Sequence, residues 1–227
     1  MSQVSVRKVS CPACQHELEA RLFDSLNGDL ISPQVEEILA GTFEEHECPS
    51  CGTLFRPEHP LLYSELSTRT WIVMHPPADR ARFALIERGV ALVLEKNFAA
   101  AAPAVVEAVR GVKPRLVFGQ AMLTEALRAR RASLPPALLE CAKLFAVRRN
   151  LGALLPYGPS QLLFEELDEQ GRLCCGVYGL DSERRLGELR LPAEALAEVR
   201  AAQPQLSQLY PELFAQPFVS ATRYLLG

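Results

Sequence analysis

Residues 10–17 read SCPACQHE and residues 47–54 read ECPSCGTL. The same Cys-Pro-x-Cys step is written twice, with thirty-three residues between Cys14 and Cys48. A C-x2-C turn lets two sulfurs converge on one ion, because the tight knuckle points its backbone amides at the thiolates. Two such knuckles complete a tetrahedral, all-thiolate zinc site. Pro12 and Pro49 pre-set the knuckle backbone, and Gly52 follows the last sulfur where a positive φ is often needed. Cys11, Cys14, Cys48 and Cys51 are therefore the expected ligands of one structural zinc ion per chain. Residues 1–75 offer few large apolar side chains. A structural zinc contributes on the order of 10–16 kcal/mol, which matches or exceeds the roughly 5–15 kcal/mol net stability of a typical domain.

Two other chemistries can be written on the same cysteines. A redox reading makes each CxxC pair a dithiol. That mechanism needs a strand, the CxxC and then a helix whose N-terminus lowers a thiol pKa, whereas QHELEARL after Cys14 alternates like a strand. A catalytic zinc would use fewer cysteines and leave one position open. His16 and His46, each two residues from a sulfur, are the substitutes it would need; His59 and His75 complete the histidines, all of which lie in residues 1–75.

Around the knuckles the pattern is local and readable. Val4, Val6, Leu18, Ala20 and Leu22 alternate with polar residues, which predicts short strands on either side of the first knuckle. In SPQVEEILAG, Ser32 and Pro33 open a helix, Val35, Ile38 and Leu39 give it one apolar stripe, and Gly41 ends it. The second half of LLYSELSTRTWIVMHPP reads as a strand ending at Pro76-Pro77. Beyond Ala78 the periodicity turns helical: Phe83, Ile86, Val90 and Val93 share a face, and a further helix is expected over Ala104–Arg110. PRLVFG reads as a strand, and QAMLTEALRARR and LPPALLECAKLFAVRRN as helices. SQLLFEEL, RLCCGVYGL and RRLGELRLP form a hairpin plus a third strand. Helices follow from Pro192, broken by Pro211 and Pro217.

The 227 residues are 48% hydrophobic and 22% charged, as in an ordinary globular protein. No apolar run reaches the roughly 18–20 residues of a membrane span, and no basic start followed by an apolar stretch is visible. The expected location is the cytoplasm, where seven cysteines, four of them in CxxC pairs, favour metal over disulfides. Residues 1–75 carry five basic and eleven acidic side chains, a net −6, leaving +3 for the rest. Such a surface repels phosphate, which counts against nucleic acid. Arg128, Arg130 and Arg131, with Arg148 and Arg149, fall near helix C-termini, where the macrodipole favours cations. Cys141 lies on an apolar helical stripe, and Cys174 and Cys175 point to opposite faces of a strand. No G-x-x-x-x-G-K-[ST], G-x-G-x-x-G or H-E-x-x-H occurs, and YGPSQ is not a nucleophile elbow.

The two knuckles, together with CPSCG at 48–52 and PLLY at 60–63, resemble the bacterial and archaeal CpXC family. PRLVFGQAMLTEAL and LLECAKLF extend the likeness more weakly. The resemblance implies metal binding by Cys11, Cys14, Cys48 and Cys51, and it implies no substrate or reaction.

The expected fold is α+β: a zinc-ribbon-like domain with an inserted helix over 1–77, then a mixed α/β domain with a three-stranded antiparallel element over 78–227. The expected role is a non-catalytic protein-interaction or regulatory module. PLLYSEL and the C-terminal residues Phe218, Val219, Tyr224, Leu225 and Leu226 are its candidate contact surfaces, including for self-association, with packing inside the chain as the alternative. A thiol-based redox sensor and a nucleic-acid-associated regulator are the competing roles.

Overall fold

A computed structural model describes residues 2–98, 106–107, 109–180 and 183–226. The fold is α+β. Strand β1 (Gln3–Ser10) turns through the first knuckle into β2 (Glu17–Asn27), paired antiparallel from Ser10↔Glu17 outward. Helix α1 (Ser32–Ala40) carries Pro33 in its first turn and ends at Gly41 in the left-handed region, φ 74°. That geometry costs glycine nothing and lets the Gly41 N–H reach back to the helix. A second, minimal hairpin follows, β3 (His46–Glu47) and β4 (Leu54–Phe55), with the second knuckle as its turn.

The segment Leu61–Glu65 is a strand, β5, and it pairs with β2 in parallel and with β6 (Thr70–His75) antiparallel. Helix α2 (Phe83–Phe98) leads towards β7 (Arg115–Phe118), which lies parallel to β6 and completes a five-stranded sheet in the order β1-β2-β5-β6-β7. Of the helix expected over 104–110, residues 104, 105 and 108 lie outside the described residues, and 106, 107 and 109 are helical. Helices α3 (Gln120–Arg131) and α4 (Pro136–Arg149) come next, and then a short turn of helix, α5 (Leu151–Leu154). Strands β8 (Ser160–Leu167), β9 (Leu173–Gly179) and β10 (Arg185–Leu191) form the three-stranded antiparallel sheet, in the order β10-β9-β8. The chain closes with α6 (Glu194–Ala201), α7 (Gln203–Leu209), α8 (Pro211–Ala215) and α9 (Arg223–Leu226).

The sheet crosses the Pro76-Pro77 position: β7 belongs to it, and one hydrophobic cluster joins Leu26, Ile38, Tyr63 and Ile72 to Leu116, Leu123 and Phe218. PLLYSEL is therefore built into the large sheet, half-buried apart from the exposed Pro60 and the fully buried positions 61 and 63. Leu61 and Tyr63 are buried, and so is Phe218, whose ring meets Phe118 edge-on at 5.1 Å. Leu61 and Tyr63 pack within the chain, because β5 is a central strand with neighbours on both edges, whereas Tyr224 is exposed and the side chains of Leu225 and Leu226 lie outside the described residues. A second cluster packs α4 and α6–α8 on the three-stranded sheet, with Cys141 and Cys175 inside it.

The arginines at the end of α3 join the two regions. Arg130 makes a forked pair with Glu65 at 2.7 and 2.6 Å, Arg131 pairs with Glu36, and Arg128 donates to the Leu39 carbonyl at 2.6 Å. Arg56 donates to the Gly41 carbonyl at 2.9 Å. Two cations thus satisfy carbonyls at the C-terminal end of α1, where its dipole is negative. At the other end of α3, Gly119 (φ 84°) leaves room for the Glu183 carboxylate, which accepts the Ala121 N–H at 3.0 Å. Burial holds that carboxyl above the usual range.

Candidate metal centre

The two knuckles have one backbone geometry. The Cys11 N–H donates to the His16 carbonyl and the Gln15 N–H to the Cys11 carbonyl, each at 2.9 Å. In the second, the Cys48 N–H donates to Thr53 and the Gly52 N–H to Cys48, again each at 2.9 Å. Both turns span six residues between paired strand ends, Ser10↔Glu17 and Glu47↔Leu54. The position after the second sulfur is left-handed in both, with φ 59° at Gln15 and 71° at Gly52.

The sequence marks this requirement at Gly52 and hides it at Gln15. A side chain in the left-handed region costs roughly 1–2 kcal/mol, and a Cβ on Gly52 would meet nothing closer than 3.9 Å. Gly52→Ala is thus expected to lower stability by about 1 kcal/mol through backbone conformation alone. Gln15→Gly is expected to have the opposite sign, reduced by the greater freedom of glycine in the unfolded chain. Urea melts of the two variants check both signs.

All four sulfurs lie within 4.8 Å of one another. The shortest approaches run between knuckles: Cys11 to Cys51 at 3.7 Å, and Cys14 to Cys48 at 3.6 Å. A tetrahedral ion about 2.3 Å from each sulfur requires sulfurs roughly 3.8 Å apart, whereas a disulfide requires about 2.05 Å. The donor set and its spacing therefore fit a four-coordinate metal ion. All four sequence-derived ligands converge here.

The first cysteine of each knuckle is buried and the second is exposed, so the centre has an inner and an outer edge. As free thiols, Cys51 and Cys14 are shifted in opposite directions. The hydrogen bond from the Thr53 hydroxyl, then its backbone N–H, pulls Cys51 down to about 6. For Cys14 the backbone at His16 draws the pKa down, but the neighbouring Cys51 thiol and desolvation outweigh it and push the thiol up to about 11. Metal binding takes the thiolate forms, so a cation at this site displaces the protons the thiols carry.

Neither histidine beside the knuckles joins the cluster. His16 is exposed, and the ring of His46 packs at 6.4 Å from Phe55. His59 is buried: Nε2 lies 2.6 Å from Glu44 Oε2 and Nδ1 lies 2.9 Å from the Pro60 carbonyl. Glu44 also accepts the Phe23 N–H at 2.6 Å. The pair braces the residues flanking the second hairpin against β2. Sequence reasoning had no signal for this brace beyond the proximity of both residues to the knuckle. His75 is half-buried, 3.5 Å from Asp79 at the end of β6.

The CpXC family model, described as CpXC protein, matches residues 9–143. That stretch is more than half the chain and contains both knuckles, most of the large sheet, α3 and much of α4. The chain belongs to the CpXC family. No curated protein and no solved structure matches it. The CpXC match begins just ahead of Cys11 and stops within α4, so the three-stranded sheet of this CpXC protein lies beyond the matched region. Among the described residues no helix is long and apolar enough to cross a membrane.

Proposed function

We propose that Cys11, Cys14, Cys48 and Cys51 hold one zinc ion in a closed structural site, and that this CpXC protein is a non-catalytic, cytoplasmic interaction or regulatory module. The carrying observation is the cluster of four sulfurs, all within 4.8 Å of one another, drawn from two hairpin turns. Four thiolates suit zinc and leave it no open position for water or substrate.

The geometry counts against a redox role. Each CxxC sits in a β-hairpin turn and not at a helix N-terminus, and the shortest sulfur pairs lie between knuckles. The arginines of α3, the strongest basic cluster, are committed to Glu65, Glu36 and the Leu39 carbonyl, which counts against a nucleic-acid role. The face that supports a protein contact is the β1 edge of the sheet, where Val4 and Val6 are exposed beside strand backbone that is unpaired among the described residues. A protein partner or a second copy would pair there.

Metal analysis with thiol titration on the natively purified chain tests the site. One zinc per chain is expected. Cys174 is then the accessible thiol, Cys141 and Cys175 react only on unfolding, and four further thiols appear on chelation. A metal-free chain whose thiols appear only after reduction would sink the structural-zinc reading and favour the redox one.

A further inference from the structure

Far along the chain from the knuckles, α4, the 151–157 turn, β8 and the 220–224 segment enclose a cleft of about 470 Å³. That volume lies in the range of small-molecule sites, roughly 300–1,000 Å³. Its walls are apolar, including Leu144, Val147, Leu154 and Leu162. Its lining also holds Glu140, Lys143 and Gln161, whose side chains are almost wholly buried.

These polar groups do not balance. The Lys143 ammonium meets Glu140 Oε1 at 2.5 Å and Glu125 Oε1 at 2.8 Å, one cation between two carboxylates. Glu125 Oε1 also accepts the Phe164 N–H at 2.6 Å, and Glu140 Oε2 the Ala221 N–H at 2.7 Å. The Ser220 and Thr222 hydroxyls at the cleft bond to each other at 2.9 Å. The groups left over are acceptors: Gln161 Oε1 on the cleft and Glu125 Oε2 behind it are buried with no donor. An unmatched acceptor in such surroundings costs about 1–3 kcal/mol, more when charged. The lining is therefore short of positive charge and of N–H donors.

The geometry points to a binding site for a small amphipathic amine: an ammonium head seated against Glu140 and Gln161, and a hydrocarbon or aromatic body lying along the leucines. The same inventory rejects a fatty acid, whose carboxylate would be a third anion beside two. This site is independent of the metal centre and of the role proposed for it.

The test uses the full-length chain and three probes of equal length below their micelle concentrations: octylamine, octanol and octanoate. Calorimetric titration is expected to show saturable binding of one octylamine per chain, at least about tenfold tighter than octanoate, with octanol between them. Leu144→Trp, which fills the cleft from a half-buried position, is expected to abolish octylamine binding while the chain still melts cooperatively. Glu140→Gln is expected to shrink the preference for amine over alcohol, and it decides the matter if the tryptophan variant does not fold. Equal affinity for all three probes, absence of saturable octylamine binding, or an undiminished amine preference in Glu140→Gln would overturn the proposal.

Discussion

Cys48→Ser is expected to yield a chain that retains no metal and in which the second hairpin and the knuckle end of the first are unfolded. The reason is how little else holds them. The second hairpin has two residues in each strand, and Leu54 is mostly exposed. Strand β1 contributes no buried residue to the core, and Val4 and Val6 face solvent. Cys48 is fully buried against the other sulfurs, so its loss removes an inner ligand that water cannot replace. Structural zinc is worth on the order of 10–16 kcal/mol to a small domain, more than this hairpin's own packing can supply. Hydrogen exchange gives the readout. Protection should vanish over residues 46–55 and the outer half of β1–β2, and persist over α3, β8 and β9, whose contacts belong to other clusters. Cys174→Ser, half-buried and away from the centre, is the control and should be nearly silent. Full protection of residues 46–55 in Cys48→Ser would mean that the hairpins stand without metal.

The second large effect lies at Lys143. Replacing it with methionine leaves the Glu125 and Glu140 carboxylates buried together without their cation, at an expected cost of about 3–5 kcal/mol. The cost should depend on pH with a definite sign. Burial, opposed by Lys143, already holds the Glu140 carboxyl above its ordinary range; without the lysine it rises further. A carboxyl whose folded pKa exceeds its unfolded value binds more protons in the folded state, so stability falls as pH rises through that window. Lys143→Met is therefore expected to be least defective at mildly acidic pH and to weaken steadily towards neutrality. Urea melts at pH 5 and pH 7 check the slope. A variant as stable as the parent at both values would show that the triad is not buried as described.

Much of this was legible in the chain. The four ligands, the helix between Pro33 and Gly41, the strand PRLVFG, the helices over 120–149 and the three-stranded element all rest on local features: turn chemistry, capping residues and hydrophobic period. Such features act within a few residues of chain, so sequence carries them directly. Gly52 announces its left-handed turn; Gln15 adopts the same backbone with no glycine to mark it, because the hydrogen-bonded knuckle turn overrides the local preference.

What sequence left open was which surfaces meet. An apolar run such as LLY serves equally well as a docking face or as a central strand, and only the parallel pairing of β5 with β2 made it core. The pairing of β6 with β7 spans some forty residues, and no local pattern names a distant partner in a sheet. Glu140 and Lys143 lie three apart on a helix, and nothing local to them marks burial. The packing of α4 against α3, β8 and the C-terminal segment buried them and drew in Glu125. Sequence by itself determined the four-cysteine cluster's members and the local elements, because those depend on bonded neighbours. Tertiary structure alone decided what is buried, because burial depends on residues the chain brings together from far apart.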